Sequence, residues 1–301
     1  MNRLRIVFLL IFVPLNVFFF YMHATPALVV FLPLLIAGFY FTSNEKTKDL
    51  YADFGDTEKH EASLCYEGSE LNFSDELLTS ILNRHFPYFT KLSQADQLKF
   101  ITRLKDFIAE KTFKIYDSSG FREMPILISA TAVQLTFGLN NYLLPRFKNI
   151  RIFPEEFVRA SSSIDFLEGN VSGQSINLSW KHFIDGFRYP EDGQNVGLHE
   201  MAHALYYQNF ISEDNEDTTF RNTFEEFNNY GNKTFNQEKD TVGGLYSSYA
   251  FRNTQEFWAE SIEIFFERPI DMQARYPNVY KAISDILKQD PAALIASSIT
   301  S

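Results

Sequence analysis

Asn195-Val196-Gly197-Leu198-His199-Glu200-Met201-Ala202-His203, continuing through Ala204-Leu205 to Phe210 without a proline, is the stretch that decides how this chain is read. Its apolar residues recur at helical spacing, which predicts a buried helix. Residues four apart on a helix share a face, so His199 and His203 turn their imidazoles toward one point with Glu200 beside it. That is the layout of a zinc hydrolase, in which two nitrogens hold the ion and the carboxylate serves the water next to it. With six histidines in 301 residues, the pattern arises by chance in on the order of one such chain in a hundred. The competing reading is two core histidines that merely satisfy hydrogen bonds.

A catalytic zinc site needs a third protein ligand, with the fourth position left to water. The other histidines, at 23, 60, 85 and 182, all precede the motif. Carboxylates downstream are better candidates. Thr254-Gln255-Glu256-Phe257-Trp258-Ala259-Glu260-Ser261-Ile262-Glu263 opens a predicted helix on which Glu256, Glu260, Glu263 and Glu267 share a face by four-three-four spacing. Glu263 and Glu267 read as a solvated acidic face. Glu256 and Glu260, set among Phe257, Trp258, Ile262, Phe265 and Phe266, read as partly buried and so as better placed to meet a cation.

A formal net charge of -11 and a pI near 5.1 argue against nucleic acid as the main partner, because phosphate binding draws on clustered Lys and Arg. The 32 phenylalanines suggest a well-filled core. Cys65 is the one cysteine, which excludes an intrachain disulfide and a thiolate metal framework.

Ile6 to Met22 and Ala24 to Phe41 are two charge-free apolar runs, each near the lower end of the roughly 17 to 25 residues that cross a bilayer. So short a connection predicts a transmembrane helical hairpin over 1–42, with the lipid bilayer as partner of residues 6–41. Arg3 and Arg5 before it and Lys46 and Lys48 after it place both flanks in the cytoplasm. The protein is then expected in the cell (inner) membrane as a multi-pass protein, its catalytic domain facing the cytoplasm. The competing reading is a cleaved signal peptide ending near Ala24. A polar tether over 43–73 and a zinc peptidase domain over 74–301 complete the expected organisation.

Within that domain, Ser74 and Ser93 read as caps of two helices, the first carrying Leu77, Leu78, Ile81 and Leu82, the second Leu98, Ile101, Leu104, Phe107 and Ile108. Ile126 to Leu139 reads as a buried helix. Ile150 to Phe153, Ile164 to Leu167 and Ser175 to Leu178 read as short strands of a small antiparallel sheet. The fold class is therefore α+β and mainly helical. An edge strand of that sheet could pair with an extended peptide.

Several blocks in order resemble one family. They are Phe107-Ile108-Ala109-Glu110-Lys111-Thr112-Phe113, Ile150-Arg151-Ile152-Phe153-Pro154-Glu155-Glu156-Phe157, Leu178-Ser179-Trp180, the motif stretch, Tyr249-Ala250, Glu256-Phe257-Trp258-Ala259 and Phe265-Phe266-Glu267-Arg268-Pro269. From about Phe86 to Pro269 the chain is similar to the MtfA-type zinc peptidases, the glucose-regulated metallopeptidases whose core belongs with the gluzincins. The resemblance implies a zincin fold and a Zn2+ cofactor held by His199, His203 and Glu256. It implies Glu200 as general base, and Tyr249 as the donor to the developing oxyanion, with Tyr246 the weaker alternative. It also implies Glu260 as the carboxylate that orients a zinc-bound imidazole.

The chain departs from the family at Ala204-Leu205-Tyr206, where Lys-Leu-Asp is common, and at Gln208 to Ser212, where a glycine-rich stretch often follows. One soluble member binds a transcriptional repressor of sugar uptake, a partner that the resemblance does not carry to this chain. The leading expectation is a membrane-tethered zinc peptidase acting on a peptide or protein substrate, with aminopeptidase action an open alternative to internal cleavage. The other reading is a non-catalytic zinc-binding regulatory module that holds a partner protein.

Overall fold

Alternation at Leu64, Cys65, Tyr66 and Glu67, with Cys65 and Glu67 outward and Leu64 and Tyr66 half-buried, makes a strand where the sequence suggested a tether. This strand, β1 (Leu64–Glu67), lies in a computed structural model that describes residues 62–117, 120, 123–158, 166–210, 218–238 and 244–300. The folded domain thus begins ahead of Ser74. The apolar runs at 6–22 and 24–41 fall outside the described residues. Among the described residues no helix is long and apolar enough to cross a membrane.

After β1 come α1 (Asp75–His85), α2 (Pro87–Thr90) and α3 (Gln94–Ala109). Ser74 and Ser93 cap α1 and α3 by accepting from the backbone N–H of Leu77 and Asp96, each at 3.2 Å, contacts of a kind typically worth about 1 kcal/mol. Leu77 and Leu98, read as core positions, face outward at 43% and 64% exposure. The remaining apolar residues already complete the buried stripe, so one extra leucine at its margin stays wet.

β2 (Thr112–Ile115), α4 (Glu123–Thr136) and β3 (Asn149–Phe153) follow as a crossover, with β2 and β3 parallel. A hairpin of β4 (Phe157–Val158) and β5 (Phe166–Leu167) precedes β6 (Gly169–Ser172) and β7 (Ser175–Ser179). The main sheet has the order β1-β2-β3-β7-β6. It is mixed, which corrects the antiparallel sheet expected from the sequence: β2, β3 and β7 run parallel, and only the outer pairs are antiparallel. The reason is the connection. Buried α4 links β2 to β3, and a helical crossover returns the chain in the same direction, whereas a tight turn would reverse it. Gly173, with φ of 55°, supplies such a turn between β6 and β7 and leaves β6 on the edge.

The second half is helical: α5 (Trp180–Arg188), α6 (Val196–Phe210), α7 (Thr218–Glu238), α8 (Thr254–Glu267), α9 (Pro269–Arg275), α10 (Pro277–Leu287) and α11 (Pro291–Thr300). α6 carries the His-Glu-x-x-His motif and is buried nearly all round, packing on β6, β7, α4 and α8. Trp258 pins α8 to it by donating its indole N–H to the Ala202 carbonyl at 3.0 Å. Phe224 and Phe227 close around the same indole with ring centroids 5.0 and 5.1 Å away. These contacts hold the two site-bearing helices in register.

Candidate metal centre

Asn195 sets the start of α6, its side-chain oxygen accepting from the Leu198 N–H at 3.0 Å. One turn on, His199 and His203 point the same way, with their Nε2 atoms 3.2 Å apart. Asn253 caps α8 through the backbone N–H groups of Gln255 and Glu256, both at 2.9 Å, which fixes Glu256 in the first turn. Glu256 Oε2 then lies 3.1 Å from His199 Nε2 and 3.3 Å from His203 Nε2. These three side chains are the potential metal-holding group among the described residues.

The donor set fits zinc. Tetrahedral bonds of about 2.1 Å imply donor-to-donor separations of about 3.4 Å, close to the 3.1 to 3.3 Å observed. The atoms also suit a cation electrostatically. Burial would raise the Glu256 carboxyl, yet hydrogen bonds and charge from His199 and His203 hold it far below the usual carboxylate range. Burial would lower His199, but Glu263 and Glu256 outweigh it and push the imidazole well up.

Glu200 is 5% exposed, and its Oε2 has no hydrogen-bond partner among the described residues. Burial raises its pKa; the carboxylates of Glu256 and Glu263 add to that, while His203 and His199 oppose it. The space for its carboxyl comes from Gly169 on the edge strand β6. A Cβ at position 169 would stand 2.6 Å from Glu200 Cγ and 2.8 Å from Oε1.

Tyr249 lies at the rim, its ring centroid 6.3 Å from that of His199. Burial raises its phenol pKa, the Glu256 carboxylate raises it further, and Arg252 opposes. Tyr246 instead turns into the core and hydrogen-bonds Ser261 Oγ at 2.9 Å.

Glu260 does not contact an imidazole. Its carboxylate accepts from the Ser247 N–H at 2.5 Å and from Ser247 Oγ at 3.0 Å, tying down the segment before Tyr249. The carboxylate on His199 Nδ1 is that of Glu263, at 2.6 Å. Helical geometry explains the correction. Seven residues bring Glu263 back to within about 20° of the Glu256 direction, whereas Glu260 lies about 40° off on the other side. Glu256 and Glu263 therefore reach the two nitrogens of one imidazole from successive positions along α8.

Glu263 and Glu267 are likewise not the solvated face expected from the sequence. Glu263 is 6% exposed and also accepts from the Asn195 N–H. Glu267 accepts from Asn195 Nδ2 at 2.9 Å and the Gly193 N–H at 3.0 Å. Sequence reasoning missed Glu263, Asn195 and Gly169 as site-building residues. The two-turn return from Glu256 to Glu263 was the readable signal for the first, and an isolated glycine opening a strand was the signal for the last.

Comparison with known proteins agrees with this geometry. The profile of the family described as "Glucose-regulated metallo-peptidase M90" matches residues 68–288. An uncharacterized protein of Synechocystis sp. is 25% identical over 222 residues, covering 68% of this chain and 80% of its own. Mlc titration factor A of Yersinia pestis (strain Pestoides F) is 25% identical over 229 residues, covering 69% and 83%. The same identity and coverage hold for Mlc titration factor A of Yersinia pseudotuberculosis.

Proposed function

Because the chain belongs to the glucose-regulated metallo-peptidase M90 family, we propose that it is a zinc peptidase, tethered through residues 6–41 to the cytoplasmic face of the cell membrane. One observation carries the catalytic part of this reading: two imidazoles and a carboxylate converge to within 3.1 to 3.3 Å beside a buried carboxyl with an oxygen that has no partner among the described residues. His199, His203 and Glu256 would hold the ion. Zinc in such a site supplies Lewis acidity toward the scissile carbonyl and lowers the pKa of water to about 7.

The protein's own groups do the rest. Glu200, its proton affinity raised by burial, takes the proton of the attacking water and returns it to the leaving amine. Tyr249 donates its phenol proton in a hydrogen bond to the oxygen on which negative charge develops. Glu263 keeps the Nδ1 proton of His199 in place, so that Nε2 presents its lone pair to the ion. The half-buried strand β6, at the edge of the sheet, offers main-chain hydrogen bonds to an extended substrate.

Replacing Glu200 by Gln tests the reading. It should abolish peptide hydrolysis while zinc remains bound at one equivalent; residual hydrolysis at the wild-type rate would sink the assignment. A second reading, a zinc-stabilised regulatory module, draws on the name of the Yersinia relative, which describes titration of Mlc. Under it, partner binding by Glu200→Gln is intact and the wild type turns over no peptide. A reporter fused after Ser301 tests the sidedness, with activity expected only for a cytoplasmic reporter and an extracytoplasmic signal refuting the tether's orientation.

A further inference from the structure

Arg252 closes the short turn Ala250–Arg252 between Tyr249 and the cap of α8. Its guanidinium carbon lies 4.4 Å from the centre of the Tyr249 ring, and that ring is 6.3 Å from His199. The fork therefore stands over the phenol at the rim of the metal centre. Among the described residues the charges that act on the Tyr249 hydroxyl besides Arg252 are acidic, Glu256 and Glu200, and Glu263 and Glu260 are bonded to His199 and Ser247 close by. Arg252 is nevertheless exposed, and among the described residues no carboxylate pairs with it. Arg188 and Arg268, by contrast, are paired with Asp185 and Asp271.

A guanidinium held by ring stacking, with its N–H edge uncommitted, matches the planar geometry of a carboxylate. The nearby acids Glu256 and Glu263 are engaged instead with His199 and His203. An extended peptide advances about 3.3–3.6 Å per residue, and the steps of 4.4 and 6.3 Å from Arg252 through the Tyr249 ring to His199 put the guanidinium within reach of about three such residues from the centre.

We propose that Arg252 is a specificity-determining residue that receives a substrate carboxylate, so that the site favours peptides carrying negative charge within about three residues of the bond cleaved. This rests on the peptidase reading of the same site. The carboxylate comes from an Asp or Glu side chain or from the substrate's free C-terminus, and the test separates the two.

The full-length protein, zinc-loaded and carrying Glu200→Gln to prevent turnover, is titrated calorimetrically with three hexapeptides of one neutral sequence. The first is amidated at its C-terminus, the second is amidated and carries one Gln→Glu change, and the third has a free C-terminal carboxylate. One of the charged peptides should bind about tenfold tighter than the neutral amide, and added salt should reduce that ratio. Which of the two gains identifies the source. Adding Arg252→Gln should bring the ratio to within about twofold, and Arg252→Lys should retain only part of it because the point charge survives and the fork does not. Charged peptides that bind no tighter than the neutral one, or a preference that persists in Arg252→Gln, overturn the proposal. Hydrolysis of the three peptides by wild type is read separately, and its absence for all of them counts against the peptidase reading whatever the binding ratios are.

Discussion

At the residue scale, Gly169 illustrates how a missing side chain shapes the site. The backbone of β6 comes so close to Glu200 that a methyl group would press on Cγ, Cδ and Oε1 at 2.6 to 2.9 Å. Glu200 is too buried to swing away, so Gly169→Ala is expected to displace the carboxyl. Peptide hydrolysis should fall by at least about tenfold, since small misplacements of a catalytic group are costly. Zinc content should stay at one equivalent. Both quantities can be read on one preparation by steady-state kinetics and metal analysis, and wild-type kcat in the variant would show that Glu200 has room after all.

At the scale of elements, α8 is a ladder of acids with separate tasks. Glu256 faces the Nε2 atoms of His199 and His203, Glu263 holds His199 Nδ1, Glu260 holds Ser247, and Glu267 holds the Asn195 loop. Glu263→Gln should weaken zinc binding by about 10 to 100-fold, the usual effect of losing the group that orients a ligand imidazole. Glu260→Gln should leave zinc affinity close to wild type. Competition with a chelator measures both, and equal losses in the two variants would contradict the division of labour. Glu267 adds a pH signature. Burial raises its pKa from 4.5 to about 8, with Glu263 and Asp192 adding and Asn195 opposing. A folded pKa above the unfolded one gives stability that is fully present below about pH 4.5 and is lost as pH rises through 8. Glu267→Gln should remove that component, seen as a smaller drop in the urea midpoint between pH 5 and pH 8.

For the whole molecule, Lys111 joins the sheet to the helical layer. Its ammonium donates to the carbonyls of Leu143 and Leu144 at 2.6 and 3.1 Å and lies 4.6 Å from the Phe107 ring centre. Burial lowers its pKa from 10.5 to about 7, Lys148 lowers it further, and Glu110 opposes. Between those values the unfolded chain carries a proton that the folded one lacks, so this group makes stability rise with pH from about 7 toward 10.5. In Lys111→Met that rise should be smaller than in wild type when unfolding midpoints are compared at pH 7 and pH 10. An unchanged slope would mean that Lys111 stays charged in the fold.

How far the sequence reached follows from the range of each interaction. The motif helix, the capped helices after Ser74 and Ser93, the buried helix near Ile126 and the acid row on α8 were legible because each depends on residues within a turn or two of one another. The mainly helical α+β class followed from those patterns. Parallel pairing of β2, β3 and β7 was not legible, because strands this short carry no mark of their partner's direction; the crossover through α4 sets it for β2 and β3, and the path through β4, β5 and β6 sets it for β7. The same limit applies to the acids. Spacing placed four glutamates on one face, but which of them meets an imidazole depends on the angle at which Trp258 and its aromatic cage lock α8 against α6. Local chemistry and periodicity are thus written along the chain, whereas the assignment of each charge to its partner comes only from packing between distant segments, where a rotation of some tens of degrees exchanges one carboxylate for another.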